Sequence, residues 1–175
     1  MVKQTSVFLM FLLALGGALA QESGDQAATW VHIDGRKNPE LVPQWSIWAT
    51  AFRTIAGGPV SRGRQLIPLT LQEALSATEA RLLLSEALEH GRREQVCEDR
   101  VSKLAARREA AATVRDENDA IVMECRWQTI HARDRLLRAL SPPSQTALSH
   151  WVESLKAGKQ ISVPKKDLAK FLLPQ

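Results

Sequence analysis

A stretch of 65 residues without proline, residues 76–140, constrains the fold of this chain more than any other part of its sequence. Gly91 is its only glycine, and the helix formers Ala, Leu, Glu and Arg supply more than half of it. At its start, Ser76 and Glu79 have the spacing of a helix capping box. The stretch is therefore predicted to be helical, and the fold class all-α.

The long helical stretch could form one rod or an antiparallel hairpin. A single helix would be about 100 Å long, and its middle would have nothing to pack against. The apolar stripe also turns polar between Leu104 and Val122, and a turn near Ala111 would bring Cys97 and Cys125, which are equally far from it, level with each other. We therefore predict an antiparallel, coiled-coil-like long-helix hairpin. The rod stays the alternative, because no Gly or Pro marks the turn.

Shorter N- and C-terminal helices are predicted to cover the hairpin. Before it, apolar residues at steps of three and four predict an amphipathic helix whose tryptophans, Trp45 and Trp48, we expect in the core. After it, Ser141-Pro142 begins a helix. Both helices are needed because a two-helix hairpin alone buries little apolar surface.

One short extended segment, Trp30 to Ile33, precedes these helices and ends at the turn dipeptide Asp34-Gly35. No second strand is evident in the sequence, so a sheet is judged improbable. The extended segment is expected to dock against the helices. Residues 21–175 are accordingly predicted to form a single helical domain.

The first twenty residues have the three parts of a secretory signal peptide. Lys3 supplies the positive charge, Val7 to Leu15 form the apolar run, and Ala18-Leu19-Ala20 gives the small-x-small cleavage site. The apolar run is too short for a transmembrane anchor, because it breaks at Gly16. We expect cleavage after Ala20 and export to the periplasm or the medium.

Export changes the interpretation of the two cysteines, because an oxidising compartment favours a disulfide between Cys97 and Cys125. The four histidines show none of the spacings typical of zinc or haem sites. We therefore expect neither a metal nor a cofactor.

Charge is unevenly distributed along the chain, whose formal net charge is +4. Residues 76–140 carry twelve acids and twelve bases, and pairs at i, i+4 such as Glu86 with His90 predict ordinary solvated helix faces. The excess is C-terminal, where two acids oppose five lysines, Lys156, Lys159, Lys165, Lys166 and Lys170. Balanced helices argue against nucleic-acid binding, whereas the lysine-rich end predicts at most a weak contact with an anionic surface.

No motif for catalysis is present: the sequence lacks a GxSxG elbow, a glycine-rich phosphate loop and an HExxH helix. We therefore interpret the chain as a non-enzymatic binding or structural protein that meets a protein partner or client. The alternative is an enzyme or small-ligand binder. Its pocket would be formed by Trp30, His32, Asp34, Trp45 and Trp48.

Two helix starts resemble a known family. Leu75-Ser76-Ala77-Thr78-Glu79 and Leu140-Ser141-Pro142-Pro143-Ser144-Gln145 are similar to the Leu-Thr-x-x-Gln helix starts of the periplasmic helical proteins Spy and CpxP. The resemblance covers about Leu75 to Leu155. It implies a chaperone- or adaptor-like role, in which a helical cradle binds partly unfolded or stress-signalling proteins without cofactor or ATP.

Overall fold

The computed structural model describes residues 30–57, 67–107 and 111–174. The signal peptide predicted for residues 1–20 lies outside this part of the chain. Two short strands and six α-helices follow in the order β1 (Trp30–Asp34), α1 (Gln44–Ala56), α2 (Leu69–Gln72), α3 (Ala77–Ala105), α4 (Ala111–Ala139), α5 (Pro142–Ser154), β2 (Gln160–Pro164) and α6 (Leu168–Phe171). Three short 3-10 turns, Pro39–Leu41, Leu155–Gly158 and Lys165–Asp167, connect some of them.

Helices α3 and α4 form the predicted antiparallel hairpin, and the continuous rod is wrong. The chain reverses between Ala105 and Ala111. Cys97 and Cys125 form a disulfide across the two helices, with their Cα atoms 6.3 Å apart. The capping box at Ser76 is also confirmed, because its hydroxyl accepts from the backbone N–H of Glu79.

Ion pairs join the two helices of the hairpin along their length. Arg100 Nη1 lies 2.8 Å from Glu124 Oε2, and Arg107 Nη1 lies 2.9 Å from Glu117 Oε2. Near the other end, Glu86 of α3 accepts from Arg135 of α4 at 2.7 Å. The two helices are therefore held in register by these ion pairs as well as by the disulfide.

Helix α1 packs across both helices of the hairpin and supplies much of the core. Ile47, Phe52 and Ile55 are fully buried, and Trp48 is only 3% exposed. The prediction that Trp48 is a core residue is therefore confirmed. The same prediction for Trp45 is wrong, because Trp45 is only half-buried and lies outside the core cluster. Helix α5 adds further apolar side chains to the same cluster, Leu148 and Val152.

The expected absence of a sheet is wrong, because β1 pairs with β2 in an antiparallel two-stranded sheet; the fold is largely helical but not purely all-α. Trp30 pairs with Pro164 at one end and Asp34 with Gln160 at the other. Each strand has five residues and turns only two apolar side chains inward, a pattern too short to identify a strand from sequence. The molecule is mostly helical with this small sheet, which we call the ribbon.

Gly35, directly after β1, explains how the ribbon meets the helices. A Cβ atom at this position would lie 1.7 Å from the carbonyl oxygen of Lys156. The Gly35 N–H donates to the carbonyl of Lys159 at 3.0 Å. Only glycine permits this close approach of two backbones.

Candidate functional site

Three of the residues predicted for an N-terminal pocket share one side of the ribbon. Trp30, His32 and Asp34 alternate with Val31 and Ile33, which face the core. His32 Nδ1 is 2.8 Å from the hydroxyl of Ser162, and it lies exposed. The side of the ribbon that carries the first three is open to solvent.

The carboxylate of Asp34 accepts hydrogen bonds from neighbouring residues. It accepts from the backbone N–H of Arg36 at 2.9 Å, and this hydrogen bond lowers the pKa of Asp34. A side-chain hydrogen bond from Gln160 and the nearby charges of Lys37 and Arg36 act in the same direction. A carboxylate held ionised in this way accepts hydrogen bonds and is a poor proton donor.

The two tryptophans of α1 have different surroundings. Trp48 is buried with its ring centroid 5.7 Å from that of Phe52. Trp45 is half-buried, and its indole N–H donates to the carbonyl of Phe171 at 3.1 Å. In the part of the chain that the structure describes, no hydrogen bond or ring contact links either of them to His32.

Trp45 belongs to a contact that holds the C-terminal segment. The Arg126 guanidinium lies 4.4 Å from the centroid of the Trp45 ring and 5.5 Å from that of Phe171. Arg126 also donates to the carbonyls of Lys170 and Leu173. A cation between two aromatic rings and two carbonyls fixes α6 against α1 and α4.

Two shallow, open surface depressions lie among the described residues. One runs beside the disulfide, between α3 and α4, and includes Val96 and Cys97. The other lies where α1, α4 and α5 meet, and includes Trp48 and Asp134. Neither is lined by Trp30, His32 or Asp34, so the pocket proposed for those residues is not formed at either place.

Within residues 30–57, 67–107 and 111–174, no group of three or more His, Cys, Asp or Glu side chains is placed to hold a metal ion. In the same ranges, every helix is too short or too polar to cross a bilayer.

His90 was expected to pair with Glu86 on a solvated helix face, and this expectation is wrong, because His90 is the most deeply buried ionisable side chain among the described residues. Its ring lies 4.8 Å from that of Phe52, and its Nε2 is 2.9 Å from Thr129 Oγ1. Because the Thr129 hydroxyl donates to the carbonyl of Cys125, it accepts from Nε2–H, which leaves Nδ1 buried without a partner. Burial, with smaller effects from Arg93 and Arg53, lowers the pKa of His90 to about 4.

The sequence signal for His90 was its position on the apolar stripe of α3, seven residues before Cys97. His90 packs as a neutral ring between Phe52 of α1 and Thr129 of α4. Among the described residues, its only hydrogen-bond partner is the hydroxyl of Thr129.

The two helix starts singled out for their resemblance meet at Glu79. One carboxylate oxygen accepts from the backbone N–H and the hydroxyl of Ser76, and the other accepts from the backbone N–H of Ser141. These hydrogen bonds, led by that from Ser141, lower the pKa of Glu79 to about 2. Glu79 therefore joins the N-terminus of α3 to that of α5.

Lys159 is a half-buried amine, and its Nζ donates to Thr50 Oγ1 at 2.5 Å. Burial, followed by the charge of Arg53, lowers the pKa of Lys159 to about 8. It forms no salt bridge with the described residues. The hydroxyl of Thr50 donates to the carbonyl of Ser46, so its oxygen accepts the hydrogen bond from Lys159.

The hairpin exposes one large aromatic side chain, Trp127 of α4, which is 46% exposed. Its ring stacks on that of His131 one turn later, with the centroids 5.7 Å apart. Trp127 was not predicted as a site residue, because it falls off the apolar stripe of α4. That departure from the stripe is itself the signal that could have identified it.

No protein-family model matches this chain, and no curated protein or solved structure shows significant similarity to it. The resemblance to Spy and CpxP stays a prediction.

Proposed function

We propose that the chain is an exported, non-enzymatic helical protein that binds a protein partner or client in the periplasm or outside the cell. Its contact surface would be the exposed part of α4 around Trp127 and His131. The observation that carries this proposal is the half-exposed tryptophan on a braced helix. Tryptophan is enriched among the residues that dominate protein interfaces.

The rigidity of the hairpin supports this choice of surface. The disulfide and the cross-helix ion pairs hold α3 and α4, and the stacked ring of His131 restricts the Trp127 side chain. A side chain that is ordered before binding loses less conformational entropy on association. Trp127 would therefore act as a preformed anchor.

Export is supported by the disulfide, which oxidising compartments favour, and by the tripartite N-terminus. Intact-mass analysis of the protein recovered from the periplasm or medium tests it. We expect a mature chain that begins at Gln21. A product that retains Met1 would contradict both the cleavage and the signal-peptide interpretation.

The binding role is tested by asking whether the purified protein slows the aggregation of a model protein such as citrate synthase diluted from guanidinium chloride, without a thiol reductant that would open the Cys97–Cys125 disulfide. We expect Trp127→Ala to weaken this activity at least several-fold without a change in melting temperature. The matched control is Leu69→Ala, which removes an exposed apolar side chain from α2. Equal activity of the native protein and Trp127→Ala would reject this surface.

The alternative role, a small-ligand binder or enzyme with Trp30, His32, Asp34, Trp45 and Trp48 around a pocket, stays a prediction. Trp30, His32 and Asp34 lie on the open side of the ribbon, whereas Trp45 is half-buried against Phe171 and Trp48 is in the core. This separation gives the alternative no added support.

A further inference from the structure

Pairing of β1 with β2 collects positive charge that is scattered in the sequence. Residues 30–37 and 159–167 together contain five cationic residues and two acids, Asp34 and Asp167. The half-buried Lys159 bonds to Thr50, and the other four cations are exposed, namely Arg36, Lys37, Lys165 and Lys166. We call these four the ribbon cations.

The ribbon cations have no salt bridge with any described residue. Arg36 and Lys37 follow β1 at one end of the ribbon, and Lys165 and Lys166 follow β2 at the other. This differs from the hairpin, whose Arg100 and Arg107 both face glutamates. Asp34 lies near Arg36 and Lys37 but forms no salt bridge with either. A surface with cations at both ends that form no salt bridge with the described residues attracts a partner that is itself anionic.

An aromatic side chain completes this surface. Trp30 is 41% exposed, and its register partner is Pro164, the residue directly before Lys165. The side chains that share its side of the ribbon, from His32 and Asp34 to Gln160 and Ser162, are polar. The opposite side packs on the core through Ile33 and Val163. We call the open side the outer face of the ribbon.

We propose that the outer face of the ribbon docks on a bilayer that contains anionic phospholipid. The ribbon cations would lie among the headgroups, and Trp30 would lie at the boundary between headgroups and acyl chains. Trp30 favours a bilayer over a soluble polyanion, because tryptophan is enriched at membrane–water interfaces. This inference does not depend on the proposed binding of a protein by α4.

The expected affinity is modest and depends on salt. A lysine close to an anionic leaflet strengthens binding by about fivefold, so Lys165 and Lys166 together account for about 30-fold. The attraction declines over a Debye length of about 8 Å at physiological ionic strength. The contact would be reversible, as suits a peripheral protein.

Co-sedimentation of the exported, processed protein with lipid vesicles tests the proposal. Vesicles of phosphatidylglycerol and phosphatidylcholine are compared with vesicles of phosphatidylcholine alone, at several salt concentrations. The test variant is Lys165→Gln with Lys166→Gln. The matched control is Arg115→Gln with Arg138→Gln, which removes the same charge from exposed arginines of α4 that form no salt bridge with a described residue.

We expect binding only to the anionic vesicles, a loss of about 30-fold in the lysine variant and little change in the arginine control. Trp30→Ala should weaken binding several-fold further. No binding of the native protein at low salt would overturn the proposal, as would an equal loss in both double variants. Displacement by heparin together with no effect of Trp30→Ala would assign the surface to a soluble polyanion and overturn it too.

Discussion

In the hairpin, arginines and glutamates of α3 face opposite charges on α4, whereas the exposed cations of the ribbon have no acidic partner within salt-bridge distance among the described residues. Both regions are rich in charge in the sequence. The difference arises because the antiparallel helices were long enough to bring their charges into register. The ribbon, with five residues a strand, leaves its cations beyond the strand ends.

This contrast separates charges that hold the fold from charges that remain available for binding. Glu86 shows the first kind, because it accepts from Arg93 on its own helix and from Arg135 on the next. Lys165 and Lys166 show the second kind. Variants in the two regions should therefore differ in what they change, stability in one case and binding in the other.

The largest expected loss of stability comes from the core that α1 builds on the hairpin. Trp48→Ala should lower the free energy of unfolding by about 3 to 5 kcal/mol, because it empties the space beside Phe52. Urea unfolding measures it. The control, Trp127→Ala, removes a half-exposed ring and should cost less than about 1 kcal/mol. Equal losses would contradict the distinction between core and contact tryptophans.

The disulfide is the next strongest constraint on the hairpin. Replacing Cys97 and Cys125 with alanine opens a loop closed over a separation of 28 residues, which costs about 3 to 4 kcal/mol in the chain-entropy model. Urea unfolding of the oxidised protein, the reduced protein and the double variant measures the loss. We expect the last two to agree. A loss below about 1 kcal/mol in both would mean that ion pairs and α1 already hold the hairpin.

The hairpin and its cover could be predicted from the sequence because their patterns are long. A proline-free stretch, a polar interruption and two equidistant cysteines all pointed to the same turn. The ribbon was missed because its strands are short and about 130 residues apart, so no local pattern links them. The separation of the two strands along the sequence, rather than their β-propensity, limited the prediction.

Acid should weaken the packing of α1 on the hairpin through His90. Its pKa of about 4 in the fold lies below the ordinary histidine value of 6.5, so the unfolded chain binds more protons between these values and stability falls as pH falls. The expected loss between pH 7 and pH 4.5 is about 2 kcal/mol. His90→Leu should remove this loss, measured by urea unfolding at both pH values.

The matched control for His90 is His150→Leu, which changes an exposed histidine of α5 and should keep the full loss. Around His90 the charged groups are Arg93, Arg53 and Glu86, and the two arginines oppose its protonation. If His90→Leu lost as much stability in acid as the native protein, another titratable group would cause the loss between pH 7 and pH 4.5.

Site residues were harder to predict than the fold. The sequence grouped Trp45 and Trp48 with Trp30 because all are aromatic and N-terminal, but spacing cannot tell which ring faces the core. Charge spacing has the same limit, because Glu86 was expected to pair with His90 and instead binds arginines. Which side chains pair across two helices depends on the register of those helices, and local sequence spacing does not determine that register.

A smaller effect is expected at Glu79, which joins α3 to α5. Its pKa of about 2 lies below the ordinary glutamate value of 4.5, so its stabilisation is present above pH 4.5 and is lost as pH falls toward 2. Glu79→Gln should lower the melting temperature at pH 7 and flatten its pH dependence in that window. Glu73→Gln, a change at an exposed acid before α3, should do neither.

The smallest effect compares single charges from the two regions. Arg100→Glu places a like charge against Glu124 and should lower the free energy of unfolding by about 0.5 to 1 kcal/mol, since the pair is half exposed. Lys166→Glu in the ribbon should stay within about 0.5 kcal/mol of the native protein. Adding Glu124→Arg to the first variant should recover stability, because it restores an opposite pair with the signs exchanged. If Lys166→Glu cost as much as Arg100→Glu, the ribbon cations would serve the fold, and their lack of partners would not mark a binding surface.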